Sequence, residues 1–428
     1  MRPVIVTESF PPDVNGVAHS VLRVAGHLAH RGHQPLVIAP RPARRPVPPG
    51  SAPPGSAPAG TALSDAVPSD AAPSDAALPY PVVRVPSVPL PGYSGFRLGL
   101  AGRRLREAMA AHRGDLAHLA SPFWLGAQGA AAARRLELPV VAVYQTDVPG
   151  YARVYRTGRL GEEAAWRCLR HIHGRAARTL APSTGSAATL HAHGIGRVWL
   201  WGRGVDTGRF QPGRRSGALR AQLAPRGEVI AGYVGRIAAE KRLDLLAGVA
   251  ALPGVRLVVV GGGPADAAAR RLLPGAVFLG PRHGDELAAI YASLDVFVHA
   301  GPHETCGQTL QEAAASGLPV VAPAAGGPLD IVTDGQTGIL VPPGEAGPLA
   351  AAVARLAADP ALRVAQGRAG RKRVLSRSWA ALGDELIGHY AAVLGDRAAP
   401  GQPAAAPPAA PVGGGQRAGQ PREDRIRA

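Results

Sequence analysis

Short, largely apolar segments recur along this chain, each followed by a stretch of helical composition, and that alternation confines it to few architectures. The first series runs PVIVTESF from residue 3, PLVIAP (35–40), DLAHLA (115–120), PVVAVYQTD (139–147) and RTLAPS (178–183). A second series starts at EVIAGYVGR (228–236) and continues through RLVVVGGG (256–263), AVFLG (276–280), DVFVHA (295–300), PVVAPA (319–324) and GILVPP (338–343). Strands that are apolar throughout are buried on both faces, so each series predicts a parallel sheet covered by helices. The restart predicts an α/β fold of two doubly wound domains joined near residues 200–225, with the functional crevice between their carboxyl edges. A length of 428 residues at 46% hydrophobic composition agrees with two cores. The domains are expected at 1–205 and 206–376. A last helix at 377–396, apolar at Leu382, Leu386, Tyr390 and Val393, can pack on either.

The opening β-α-β unit comprises a strand, the loop Pro11 to Gly16, a helix with Val17, Val21, Val24 or Ala25, and Leu28 on one face, and a second strand. Residues 41–79 are Pro, Ala, Ser and Gly with a loose Ser-Asp-Ala repeat, too poor in apolar surface to order themselves, and are read as a flexible insert. Residues 397–428 share that character and are read as a disordered tail. No segment reaches 18 apolar residues, the amino terminus reads as a strand, and Cys168 and Cys306 are too few for a disulfide scaffold or a zinc site. These features predict a cytoplasmic protein. The net charge of +17 sits mainly in the first half, where residues 1–200 carry 22 Arg against 11 acids. With 4% aromatic residues and no basic runs interleaved with Phe or Tyr, nucleic acid is not the expected partner. An anionic membrane surface or an acidic acceptor fits that half better.

The stretch His303 to Glu312 (HETCGQTLQE) places two glutamates across a strand-to-helix junction. Glu304 is expected in the loop after strand DVFVHA, and Glu312 inside the following helix, about 12 Å further along if every step is helical. Taken alone, such a pair reads equally as a cap and a solvated helix residue. Gly235-Arg236 ends the first strand of the second domain and Lys241 follows, so two cations share that strand edge with Glu304, Gly307 and the helix start at Gln308 and Thr309. Free N–H groups there favour an anion, and a diphosphate suits the set. Only Lys241 and Lys372 are lysines against 45 arginines, which suggests that Lys241 is kept for its compact ammonium. VVVGGGP (258–264) does not match G-x-G-x-x-G and is read as a tight turn.

Five segments together, ESFPPDVNGV (8–17), HLASP (118–122), YQTDVPGY (144–151), GRIAAEKR (235–242) and HETCGQTLQEAAASGLPVVAP (303–323), resemble the retaining GT-B glycosyltransferases that use nucleotide sugars. Within that family the chain looks most like bacterial GDP-mannose-dependent α-mannosyltransferases that build glycolipids. The resemblance covers all but the insert and the tail. It implies that Arg236 and Lys241 hold the donor diphosphate, that Glu312 binds the ribose hydroxyls, and that Glu304 contacts the transferred sugar. Gly235, Gly307, Gln308 and Thr309 fall in the donor-binding motifs. The resemblance further implies that Gly16 admits the diphosphate to the backbone and that His118 hydrogen-bonds the sugar. Thr146, Asp147 and Tyr151 are acceptor-side candidates; they read equally as structural polar residues at a strand end, as does His118. No Asp-x-Asp pair, HExxH motif or Cys/His cluster supplies a metal site, so no metal and no cofactor beyond the nucleotide-sugar co-substrate is expected. Members commonly carry Phe two residues after the first glutamate, where this chain has Cys306.

The expected activity is transfer of a hexose, mannose from GDP-mannose foremost, to a lipid-linked or glycolipid acceptor with retention. The alternatives are a UDP-sugar enzyme with a soluble acceptor, a sugar-nucleotide binding protein without turnover, and an epimerase of similar form. FRLGLAGRRLREAMAAHR (96–113) sets Phe96, Leu98, Leu100, Leu105 and Met109 beside four arginines. It reads either as an interfacial helix for peripheral contact with the inner face of the membrane or as a core helix with a solvated basic face.

Overall fold

The computed structural model describes residues 1–13, 15–42, 74–89, 97–121, 123–147, 149–150 and 158–398. The first sheet contains β1 (Pro3–Val6), β2 (Leu36–Pro40), β3 (Val82–Val85), β6 (Leu116–Leu119), β7 (Val140–Val143), β8 (Arg178–Ala181) and β9 (Val198–Leu200). A separate antiparallel hairpin is made by β4 (Ser87–Pro89) and β5 (Arg97–Gly99). The second sheet contains β10 (Val229–Val234), β11 (Val255–Val260), β12 (Val277–Gly280), β13 (Val296–Val298), β14 (Val320–Pro323) and β15 (Gly338–Val341).

Both sheets are parallel, in the orders β3-β2-β1-β6-β7-β8-β9 and β12-β11-β10-β13-β14-β15. The order reverses between β1 and β6 in the first and between β10 and β13 in the second, so each sheet has a crevice at its carboxyl edge there. Apolar residues fill both faces. Val4, Val6, Ala117 and Leu119 lie in one cluster and Ile5, Val37, Val141 and Val143 in the opposite one. In the second sheet Ile230, Val258 and Phe297 face one way and Ala231, Val259 and Val298 the other. The continuous apolar runs are therefore a consequence of two-sided burial.

The last helix, Trp379–Ala398, packs against the helix Gly16–His30 and sends Leu386, Tyr390 and Val393 into the core of the first sheet. Its Asp384 accepts from His27 Nε2 at 2.8 Å and pairs with Arg31. The chain thus crosses to the second sheet through residues 201–206 and back at 377–378, where Val205 and Ser378 form a parallel bridge.

Two sequence expectations are corrected. Residues 96–113 do not form one helix: Arg97–Gly99 pair as β5, and a helix spans Gly102–Ala111 only. Gln128 Oε1 accepts from the N–H groups of Ala101 and Gly102 and fixes the break. Leu105 and Met109 are wholly buried in the first core, while Arg103 stands in solvent and pairs with Glu107. The apolar face of this helix is a core face; Leu100, ahead of it, is 47% exposed, and Phe96 lies outside the described residues. The insert also ends earlier than residue 79. Asp75–Ala77 form a short 3-10 turn, and Asp75 pairs with Arg84 at 2.7 Å. Residues 43–73 and 399–428, the bulk of the expected flexible insert and tail, lie outside the described residues. Among the described residues no helix is long and apolar enough to cross a membrane.

Candidate active site

The loops at the second sheet's reversal hold the predicted charged residues together. Gly235 and Arg236 follow β10, the short turn Ala239–Lys241 continues that loop, and Glu304 lies after β13. Lys241 Nζ donates to Glu304 Oε2 at 2.8 Å, and the two side chains are 17% and 16% exposed. Glu304 Oε1 accepts from the N–H groups of Gly307 (2.9 Å) and Cys306 (3.3 Å). Glu304 therefore closes the turn ahead of the helix Gln308–Ala315, and the Cys306 and Gly307 N–H groups are already taken, contrary to the expectation of free donors there. The N–H groups of Gln308 and Thr309 have no partner within the helix, as at any helix start. Gly307 adopts φ +72° with Ile331 Cδ1 2.4 Å from where a Cβ would stand, so this turn requires glycine. Burial pushes the Glu304 carboxyl up, but the Lys241 ammonium, by its charge and its hydrogen bond, and the Gly307 N–H more than offset it and hold it well below the usual carboxylate range.

Beneath this pair lies a layer the sequence reading missed. His299, wholly enclosed, places Nε2 4.0 Å from Glu304 Oε2 and stacks on Tyr233, with ring centroids 6.4 Å apart. Burial lowers its pKa to about 4, with Glu304 opposing, so the ring is neutral. The Tyr233 hydroxyl donates to the Arg236 carbonyl at 2.9 Å and anchors that loop. A histidine inside the apolar run DVFVHA was the available signal. Arg236 pairs with Glu240, which is buried. The glycines of VVVGGGP pack against this same loop: a Cβ on Gly261 would meet the Gly235 carbonyl at 1.9 Å and one on Gly263 the Ile237 carbonyl at 2.3 Å. The segment is a backbone-to-backbone seat for Gly235-Arg236.

Glu312 sits one turn into the helix, half-buried. Its Oε2 accepts from the Tyr291 hydroxyl at 3.1 Å and its Oε1 from Gln308 Nε2 at 3.2 Å. The same Gln308 nitrogen donates to the Gly204 carbonyl at 3.1 Å, so the helix start is tied to the crossing segment. Burial pushes Glu312 up to about 7, with both hydrogen bonds pulling the other way.

On the first-sheet side, Asn15 caps the helix Gly16–His30, its Oδ1 accepting from the Val17 and Ala18 N–H groups at 3.0 Å. Beside Gly16 the space is filled by Arg203: a Cβ would stand 2.4 Å from Nη1. His118 is placed differently from expectation. It lies in β6 opposite Ile5, is 1% exposed, and its Nδ1 shares a 2.6 Å hydrogen bond with the Tyr390 hydroxyl. Burial lowers its pKa to about 3. A ring enclosed between sheet and last helix is a core group, and the role of sugar ligand is withdrawn. Asp147 spends its carboxylate on its own loop, accepting from the Tyr144 hydroxyl and the Gly150 N–H, both at 3.0 Å; Thr146 is half-buried and Tyr151 lies outside the described residues. The sheets' loops touch beside Glu304. Thr184 donates to Asp330 from both backbone and hydroxyl at 2.6 Å.

Comparison with known proteins identifies the architecture. Residues 14–209 match the model described as Glycosyltransferase Family 4, and residues 217–373 that described as Glycosyl transferases group 1. A GDP-mannose-dependent alpha-mannosyltransferase of Mycobacterium tuberculosis is 48% identical over 93% of this chain and 98% of its own length. The chain belongs to the family 4, group 1 glycosyltransferases. A second relative with that same description, from Corynebacterium glutamicum, is 40% identical over 92% of this chain and 89% of its own. Among solved structures, Anabaena Alr3699/HepE in complex with UDP and glucose superposes with a TM-score of 0.68 at 19% identity, covering 91% of this chain and 99% of that one, which shows the GT-B fold.

In this glycosyltransferase the described site holds two cations, Arg236 and Lys241, next to a helix start. Two carboxylates lie along that helix. Such a set can bind an anionic leaving group at one end and hydroxyls at the other.

Proposed function

We propose that this glycosyltransferase transfers mannose from GDP-mannose to a lipid-linked or glycolipid acceptor with retention of configuration, and that no metal ion takes part. The Lys241–Glu304 pair at the second sheet's reversal carries this reading, together with the 40–48% identity to enzymes described as GDP-mannose-dependent. Arg236 and Lys241 hold the donor diphosphate, with the Gln308 and Thr309 N–H groups beside them. Glu304 accepts from the hydroxyls of the transferred sugar and Glu312 from the ribose diol. As the bond from the anomeric carbon to the phosphate oxygen breaks, negative charge grows on the diphosphate, and cations already in place lower the barrier without reorganisation. The acceptor oxygen forms its bond on the same face, and its proton passes to the departing phosphate oxygen. Lys241 has three donors and can leave one on Glu304 while it takes phosphate. Arginine-rich surface on the first sheet's side, Arg103 among it, favours an anionic membrane face, and we place the enzyme at the cytoplasmic side of that membrane.

Titration calorimetry with GDP, in buffers of different ionisation heat, tests the donor and Glu312 together. Glu312 with a folded pKa of about 7 is mostly protonated at pH 6, and ribose hydroxyls that donate to it favour the ionised form. Its raised pKa means that folding favours the protonated group; that contribution is complete below pH 4.5 and is lost as pH rises through about 7. At pH 6 GDP binding is expected to release more protons from the wild type than from Glu312→Gln, in which the terminal phosphate of GDP alone releases them, and at pH 8.5 almost none from either. Tight binding of UDP in place of GDP would overturn the donor assignment, and undiminished release in Glu312→Gln would overturn the ribose role.

A further inference from the structure

Arg203 lies in the segment where the chain crosses between the sheets, and it is 9% exposed. Enclosing a guanidinium is costly unless an opposite charge accompanies it. Two part-buried arginines of this molecule show such pairing: Arg23 pairs with Asp206 at 3.2 Å, and Arg84 with Asp75 at 2.7 Å. Arg203 differs. Its Nη2 donates to the neutral Gln145 Oε1 at 2.7 Å, and among the described residues no carboxylate lies within 4.0 Å of it. Gln145 is itself fixed, its Nε2 donating to the Ala120 carbonyl at 3.1 Å, so the guanidinium is held from behind. Nη1 points to Gly16, the first residue of a helix of 15 residues, whose N-terminal field adds to the positive potential.

The place of this cation in the site follows from its neighbours. Gly204, next in the chain, accepts from Gln308, and the Arg203 guanidinium acts on the Cys306 thiol, which burial pushes up to about 11. Cys306 and Gly307 bind Glu304, and Glu304 binds Lys241. Arg203 therefore adjoins the loop of Cys306 and Glu304, which carries Lys241 on its other side, and lies next to Gly16.

From this geometry we propose that Arg203 is a third phosphate-binding cation of the donor site, which closes the diphosphate between the crossing segment and the second sheet. The inference rests on the nucleotide-sugar reading and extends it. It also gives Gly16 a different purpose from the one the sequence suggested. A side chain there would displace the Arg203 fork, so the glycine makes room for a cation that in turn meets the phosphates.

Equilibrium binding of GDP, and of guanosine by competition, to wild type, Arg203→Gln and Arg203→Lys tests it, with UDP and uridine as a parallel pair. Loss of one charge-assisted hydrogen-bonding partner is expected to weaken diphosphate binding about 10- to 100-fold. The phosphate-free nucleoside should bind all three proteins alike. Arg203→Lys keeps the charge without the fork and should show a smaller loss of the same kind; it carries the test if Arg203→Gln does not fold. Unchanged diphosphate affinity, or an equal loss for diphosphate and nucleoside, overturns the role of Arg203 while leaving the donor reading intact. If wild type binds neither diphosphate, the donor reading fails and the proposal with it.

Discussion

Lys241→Ala is expected to lower turnover about 10²- to 10³-fold, the scale found when one preorganised charge partner of a transition state is removed. Lys241 is held on Glu304 at 2.8 Å, in the turn that continues the loop of Arg236. Without it the leaving diphosphate loses a cation, and Glu304 keeps only the Cys306 and Gly307 N–H groups. Glu304→Ala should cost a similar factor by a different route. Lys241 then loses its Glu304 partner and can still meet phosphate, so donor binding survives better than turnover. Because both side chains are about five-sixths buried, removing either one leaves the other charge enclosed and should also cost stability, on the order of 3 kcal/mol, so rates are compared per folded molecule. Lys241→Arg should also be impaired, since a planar fork does not replace a compact ammonium in this slot. Initial rates and melting curves on the purified variants decide the matter. Near wild-type rates in either alanine variant would refute the site.

Gly261→Ala is expected to destabilise the protein by about 3–5 kcal/mol, among the largest effects open to a single methyl group. The added carbon would stand 1.9 Å from the Gly235 carbonyl, at a backbone φ of +134°. The obstacle is backbone, which cannot rotate away. Gly261 also donates to the Gly280 carbonyl and Gly235 to the Val260 carbonyl, so two strand ends must shift to make room. Arg236 follows Gly235 directly, and the fraction that still folds should show weakened donor binding. Gly26→Ala is the matched contrast. It lies inside the helix Gly16–His30 with nothing within 4 Å of a new Cβ, and should stabilise by about 0.5–1 kcal/mol. Thermal melting of both tests the account. Equal melting of Gly261→Ala and wild type would show that the seat beneath Arg236 is not needed.

The strands were legible because burial on both faces leaves a continuous apolar run, and β1, β10 and β14 are of that kind. The charged residues of the donor loop were legible because a strand end followed by Gly-Arg, a rare lysine and a glutamate before a helix each leave a local trace. What the sequence could not convey were choices of distant partner. DLAHLA alternates, so His118 could face either side of β6; Tyr390, 272 residues later, decides. Glu304 looked free to meet a ligand, but the turn at Gly307 brings two N–H groups onto it. Residues 96–113 had the composition of one helix, and Gln128, from another helix, breaks it at Ala101 and Gly102. Arg203 was one arginine among 45 until its burial and neutral partner set it apart.

The most direct measurement supplies purified protein with labelled GDP-mannose and a membrane lipid extract and follows label into the organic phase. Wild type is expected to yield an α-mannosylated lipid, Lys241→Ala almost none, and labelled UDP- or ADP-sugars none. Labelled lipid formed only from a UDP- or ADP-sugar, or formed equally by wild type and Lys241→Ala, would contradict the account.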